Sequence, residues 1–199
     1  MLRQLSSILI ALVLLLTCVG LITLAGEPRH FPVGALDPAS TKSDNARNVW
    51  YSHQLRAMDE PVLDATQKGS AYRFTWLRSF SHPIAVRITA NAGRFRLVAV
   101  ELDASGGYAR EKPMRRQEIE LSAAQFRDLE ALISNSGFWN LPPHVESNGL
   151  DGSEWIIEGV RGGTYHVVNR WSPDTGPVRE IGEQMLVLTG WHFPSREIY

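Results

Sequence analysis

The sequence predicts an α+β domain: an antiparallel sheet of about five strands with two main helices packed on one face, preceded by an N-terminal hydrophobic helix. Three observations carry this reading. Residues 155–160 and 164–171 are rich in β-branched and aromatic side chains and flank Gly162-Gly163, a pair suited to a tight hairpin turn. Ser122-Ala123-Ala124-Gln125 is a capping box that opens a helix. Pro177 stands in the first turn of a second helix, whose apolar stripe is Val178, Ile181, Met185 and Leu188.

The chain has 199 residues, 44% of them hydrophobic and 21% charged, which suits one well-filled core. Its formal net charge is −1, and the first 26 residues hold Arg3 and no acid, so the remainder carries −2. With no basic field to attract a phosphate backbone, nucleic acid is not expected as a partner.

Residues 1–26 read as a signal-anchor or signal peptide: the apolar run from Ile8 to Ala25 is broken only by Thr17, Gly20 and Thr23. A membrane span needs about 20 such residues, and the lack of a polar stretch before Gly26 favours an anchor. The expectation is a single pass through the inner membrane by residues 4–25, with the domain in the periplasm. Thr23-Leu24-Ala25 offers the alternative, a secreted or periplasmic chain cleaved near Ala25. Cys18 is the only cysteine. Thr17 and the apolar residues after Cys18 suit a membrane-embedded thiol better than a lipoprotein box, and the exported part is built without disulfides.

Residues 27–70 read as a tether with a possible short helix over 45–60, in which Ala46, Val49, Trp50, His53 and Ala57 recur at helical spacing. Residues 71–199 form the single domain. Tyr72 to Trp76 and Ile84 to Ala90 alternate as strands do. From Phe95 to Leu102 the apolar parity switches at Leu97-Val98, which predicts either a bulge or a central strand covered on both faces. Gln117 to Leu121 returns as a strand. The capped helix then carries Phe126, Leu129, Leu132 and Ile133 on one side and ends at Asn135-Ser136-Gly137. Phe138, Trp139 and Leu141 dock as an apolar plug, and Gly190 closes the last helix.

The run from Leu121 to Leu188, with its capped helix, Phe138-Trp139, the hairpin and Arg170-Trp171-Ser172-Pro173, resembles uncharacterised families of small exported or membrane-anchored bacterial domains. That resemblance implies fold and export, and it brings no catalytic residue.

A two-residue loop at Gly162-Gly163 sets Val160 opposite Tyr165. Glu154, Ile156, Glu158 and Val160 then share a face with Tyr165, Val167, Asn169 and Trp171, while Trp155, Ile157 and Gly159 share the other with Thr164, His166, Val168 and Arg170. Each face mixes polar with apolar residues, a local inconsistency that invites a functional reading. Glu154 and Glu158 lie four residues apart on one strand, about 13 Å, which is too far for a glycosidase pair. His144, Asp151, His166 and His192 lack close ligand spacing, so no metal is expected. No nucleophile elbow or phosphate loop is present, and no cofactor is expected. Trp155 opposite Arg170, with His166 beside them, offers a stacked aromatic and basic strip, and these three residues are the candidate binding face.

The expected function is a non-catalytic envelope domain, tethered to the inner membrane and binding another envelope component, a protein or peptide, through its sheet surface. The alternative is a small hydrolase or metal-dependent enzyme with a site near the 153–171 hairpin.

Overall fold

The computed structural model describes residues 28–103, 113–147, 149 and 151–199. The expected N-terminal hydrophobic helix lies outside them, and among the described residues no helix is long and apolar enough to cross a membrane. Helix α1 spans Thr41–Ala57. Strands β1 (Ser70–Arg78), β2 (Ile84–Asn91), β3 (Arg94–Leu102) and β4 (Pro113–Glu120) follow. Helix α2 (Ala123–Asn135) leads through a 3-10 turn at Phe138–Asn140 to the hairpin of β5 (Ser153–Arg161) and β6 (Thr164–Trp171). Helix α3 (Pro177–Leu188) comes last, before a 3-10 turn at Ser195–Glu197.

The fold is α+β, and its sheet has six antiparallel strands in the order β4-β3-β2-β1-β5-β6, one more than expected. The long return from α2 lays β5 beside β1, with Arg73 opposite Glu158 and Trp76 opposite Trp155. The hairpin register is the expected one, Val160 opposite Tyr165 and Trp155 opposite Arg170. Gly162 and Gly163 both have positive φ, 57° and 78°, as a two-residue turn of this hand requires.

Helices α2 and α3 cover one face, as expected. Phe126, Leu129 and Ile133 of α2 and Val178, Ile181 and Met185 of α3 pack on Tyr72, Phe74, Trp76, Val86, Leu97, Trp155 and Ile157. The capping box is present: the Gln125 amide donates to the Ser122 hydroxyl at 3.2 Å, and the Ser122 amide donates to the Gln125 side chain at 2.9 Å.

The second face is also covered, a difference from the one-sided packing expected. Tyr51 and Leu55 of α1, with Phe31 and Leu36 before it, pack on Leu77, Ala85, Val98, Val100, Ile156 and Val167. Strand β3 is therefore a central strand feeding both cores, and its register irregularity lies later, at Glu101/Leu102. Helix α1 begins four residues earlier than the expected 45–60 and buries a different side. Val49 and Trp50 face out, while Asp44, Asn48 and Ser52 are buried. These polar groups are satisfied by the preceding loop. The Asp44 carboxylate accepts from the amides of Gly34 and Leu36 at 2.9 and 3.0 Å, and Asn48 donates to the Phe31 carbonyl at 2.8 Å. The stretch read as a tether over 27–70 thus contributes His30, Phe31, Leu36 and α1 to the folded unit.

Candidate functional site

Of the strip of Trp155, His166 and Arg170, the indole is removed from the surface while the other two side chains stay partly exposed. Trp155 is wholly buried, with its ring centroid 4.9 Å from that of Phe74 and 5.3 Å from that of Trp76. Its indole N–H donates to the Ser153 hydroxyl at 3.0 Å and the Tyr199 carbonyl at 2.9 Å. The guanidinium over this indole belongs to Arg179 of α3, 5.0 Å from the centroid. Arg170 instead donates to the carbonyls of Asn169 at 2.6 Å and Pro142 at 3.0 Å, pinning the segment after α2 to the edge strand β6. The His166 ring packs edge-on against Phe138 at 5.1 Å, and burial lowers its pKa. Trp155 is thus enclosed beneath α3, whereas His166 and Arg170 are half-buried beside the 138–143 segment.

The two glutamates of β5 enter separate polar networks, Glu154 beside α1 and Glu158 beside the residues that follow it. Glu158 and Arg73 are fully buried and joined by two contacts, from the guanidinium Nε at 2.6 Å and Nη2 at 2.5 Å. Arg73 also donates to the Pro61 carbonyl at 2.6 Å, the Tyr165 hydroxyl donates to Glu158 at 3.0 Å, and Arg87 pairs with Glu60 at 2.8 Å. Burial raises the Glu158 pKa against the pull of Arg73, while Glu158 and Glu60 hold Arg73 protonated despite its burial.

Glu154 accepts from the Asn169 side-chain amide at 2.6 Å, and that amide also donates to the Tyr51 hydroxyl at 2.8 Å. Arg47 joins them, with Nη1 3.2 Å from the Tyr51 hydroxyl and 3.4 Å from Glu154. Burial, then the charge of Glu154, raises the Tyr51 pKa, so its phenol stays protonated.

Among the described residues, Asp37, His144 and Glu146 form the one grouping whose ligand atoms all lie within 4.8 Å of one another. Arg47 Nη2 is 3.0 Å from His144 Nε2, and because a guanidinium can only donate, that nitrogen's lone pair is already engaged. A metal ion there would have to displace a cation. Asp151, His166 and His192 take no part in the grouping.

One pocket lies at the end of the sheet. It has a volume of about 190 Å³ and is lined by Trp50 and Gln54 of α1, Leu77 and Arg78 of β1, Ser79 and Pro83 of the following loop, and Trp171 at the end of β6. Trp50 and Gln54 share one side of α1 by their four-residue spacing. Trp171 is a fixed wall: a Cβ on Gly149 would fall 1.8 Å from its indole nitrogen, and one on Gly152 2.8 Å from its ring, so the loop carries glycine where the indole lies. Trp50 is 41% exposed, and Phe80 in the neighbouring loop is 68% exposed. Gln54 is only 1% exposed, and both polar atoms of its carboxamide lack a partner. Arg78 adds no free charge, because it donates to the His82 carbonyl at 2.6 Å and pairs with Glu101 at 3.3 Å.

A larger hollow of about 600 Å³ beside β3 and β4 is lined by Arg94, Phe95, Arg96, Glu118, Ile119 and Glu120. Of its four charged side chains Arg96 and Glu118 pair with each other, and Phe95 is stacked on Phe126 at 4.8 Å.

Sequence reasoning missed this pocket. It assigned Trp50 to a buried stripe and placed Trp171 in the hairpin without a role. The legible signals were the Trp50/Gln54 spacing and the glycines at 149 and 152.

Compared with protein-family models and with curated proteins, the chain matches none.

Proposed function

We propose that this chain is a non-catalytic envelope domain, held at the inner membrane by residues 4–25, which binds another envelope component at the pocket between Trp50 and Trp171. The observation that carries the reading is the pocket itself, lined by two indoles and by Gln54, whose buried carboxamide is unpaired. Large aromatic groups beside a polar group that needs a partner are what binding sites use for affinity and orientation. Both sheet faces carry helices, so the binding surface moves from the sheet to its end. The hairpin carboxylates support the same reading, since Glu154 and Glu158 are committed to Asn169 and Arg73.

The test is photo-crosslinking in intact cells with a benzophenone amino acid at position 50 of the full-length chain. Saturable attachment to one envelope component, absent when the probe stands at Arg127 on the far helix α2, is expected, with the chain in the membrane fraction. Equal labelling at both positions would refute the binding reading, and a mature N-terminus at Gly26 would refute the anchor in favour of secretion.

One observation favours the second reading, a metal-dependent enzyme near the hairpin: the grouping of Asp37, His144 and Glu146. Stoichiometric zinc that only a chelator removes, and that His144→Ala abolishes, would establish it. The Arg47 guanidinium against His144 predicts no such zinc.

A further inference from the structure

The Gln54 carboxamide is buried with its donor and its acceptor both unpaired, in a protein whose other helix α1 side chains Asp44, Asn48 and Ser52 all find partners. A buried polar group left unpaired is unfavourable, so an occupant able to pair it is favoured. From these residues we infer that the Trp50–Trp171 pocket takes an extended, uncharged peptide segment, with an apolar residue such as proline or leucine between the indoles and its backbone paired to Gln54.

The inference rests on the binding-domain reading and narrows its ligand class. A residue of an extended chain presents its N–H and C=O on the same side, which matches the donor and acceptor of one carboxamide. The volume of about 190 Å³ holds one residue and falls short of the roughly 300 to 1,000 Å³ of small-molecule pockets. The walls of Leu77, Pro83, Trp50 and Trp171 suit an apolar side chain, and aromatic walls of this kind dock proline segments. A glycan fits less well, because its several hydroxyls need acceptors as well as donors, whereas the lining offers mainly donors, the indole N–H groups of Trp50 and Trp171, beside Gln54, a Ser79 hydroxyl already accepting from the Gly152 amide at 3.4 Å, and an Arg78 held by His82 and Glu101. That commitment of Arg78 also leaves no charge for an acidic ligand. Trp50 is the wall that can turn to admit the chain, because it is exposed and its ring contact is with Tyr51 at 5.1 Å.

The experiment uses the full chain in detergent micelles, with NMR of the indole and carboxamide N–H signals. The probes are N-acetylated, C-amidated heptapeptides of glycine and alanine with proline, leucine, aspartate or lysine at the centre, and chitotriose. Expected are saturable shifts of the Trp50, Trp171 and Gln54 signals with the proline or leucine peptide, at least tenfold weaker with the charged ones and absent with chitotriose. Gln54→Leu should weaken peptide binding at least tenfold while the melting temperature holds or rises, since an unpaired polar group is removed. Unaltered peptide binding by that variant would overturn the inference, as would a melting temperature lowered by more than about 5 °C, which would mean that the carboxamide has a structural partner. Binding of chitotriose alone would overturn the peptide class and leave the crosslinking reading standing, whereas no crosslink at position 50 removes that reading itself.

Discussion

Replacing Arg73 by Met should be among the most damaging single substitutions in the protein, because Arg73 and Glu158 are both fully buried and only 2.5 Å apart. The change leaves Glu158 with the Tyr165 hydroxyl as its remaining partner, at 3.0 Å, and deprives the Pro61 carbonyl of its donor. Breaking a buried pair from one side costs about 3 to 5 kcal/mol. For a folded unit of this size that lowers the melting temperature by roughly 6 to 20 °C. Glu158→Gln should cost somewhat less, since Arg73 keeps Glu60 at 3.6 Å. The double variant Arg73→Met with Glu158→Met should regain most of the loss, because an apolar pair of similar volume avoids the desolvation of two charges. Thermal or urea unfolding of the wild type, both singles and the double gives the coupling energy directly. Singles that cost under about 1 kcal/mol, or a double that equals their sum, would refute the structural role and reopen Glu158 as a functional acid.

Gly182→Ala should destabilise the protein despite alanine's better helix propensity, worth about 1 kcal/mol. Its Cβ would lie 2.6 Å from Trp155 and 3.1 Å from Phe74, and relieving such overpacking costs about 1 to 3 kcal/mol. Adding Trp155→Phe should recover part of the loss in the same melts. Acid should weaken the fold through His30, whose pKa burial lowers to about 4. The folded state favours neutral His30, so this stability is fully present above pH 6.5 and is lost as the pH falls toward 4. After discounting for solvent screening the loss is about 1 to 2 kcal/mol. His30→Gln should flatten the dependence of melting temperature on pH across that window.

Local chemistry made much of the fold legible. The hairpin register followed from two glycines and strand alternation, and α2 and α3 from a capping box, an N-terminal proline and apolar stripes. Helix α1 was misread because its buried side is largely polar: beside Tyr51 and Leu55 it carries Asp44, Asn48 and Ser52, which are satisfied by the chain of residues 30–37, and apolar periodicity cannot see a face held by hydrogen bonds. The mixed faces of the hairpin have the same cause. Glu158 and Asn169 are buried, and their partners Arg73 and Tyr51 lie 85 and 118 residues away in the chain. Trp155 and Arg170 are opposite each other as the register required, yet α3 brings Arg179 to the indole and the 142–143 carbonyls draw Arg170 away. The pocket was legible only in fragments for a related reason, since its walls come from α1, β1, the loop after it and the end of β6.

Partner capture from crosslinked envelopes, normalised to the folded fraction, tests the central claim most directly when Trp50→Ala, Gln54→Leu and Arg170→Ala are compared with the wild type. The pocket account predicts at least tenfold loss for the first two and unchanged capture per folded molecule for Arg170→Ala. Capture that survives Trp50→Ala and Gln54→Leu but is abolished by Arg170→Ala would contradict it and return the binding face to the Trp155, His166 and Arg170 strip.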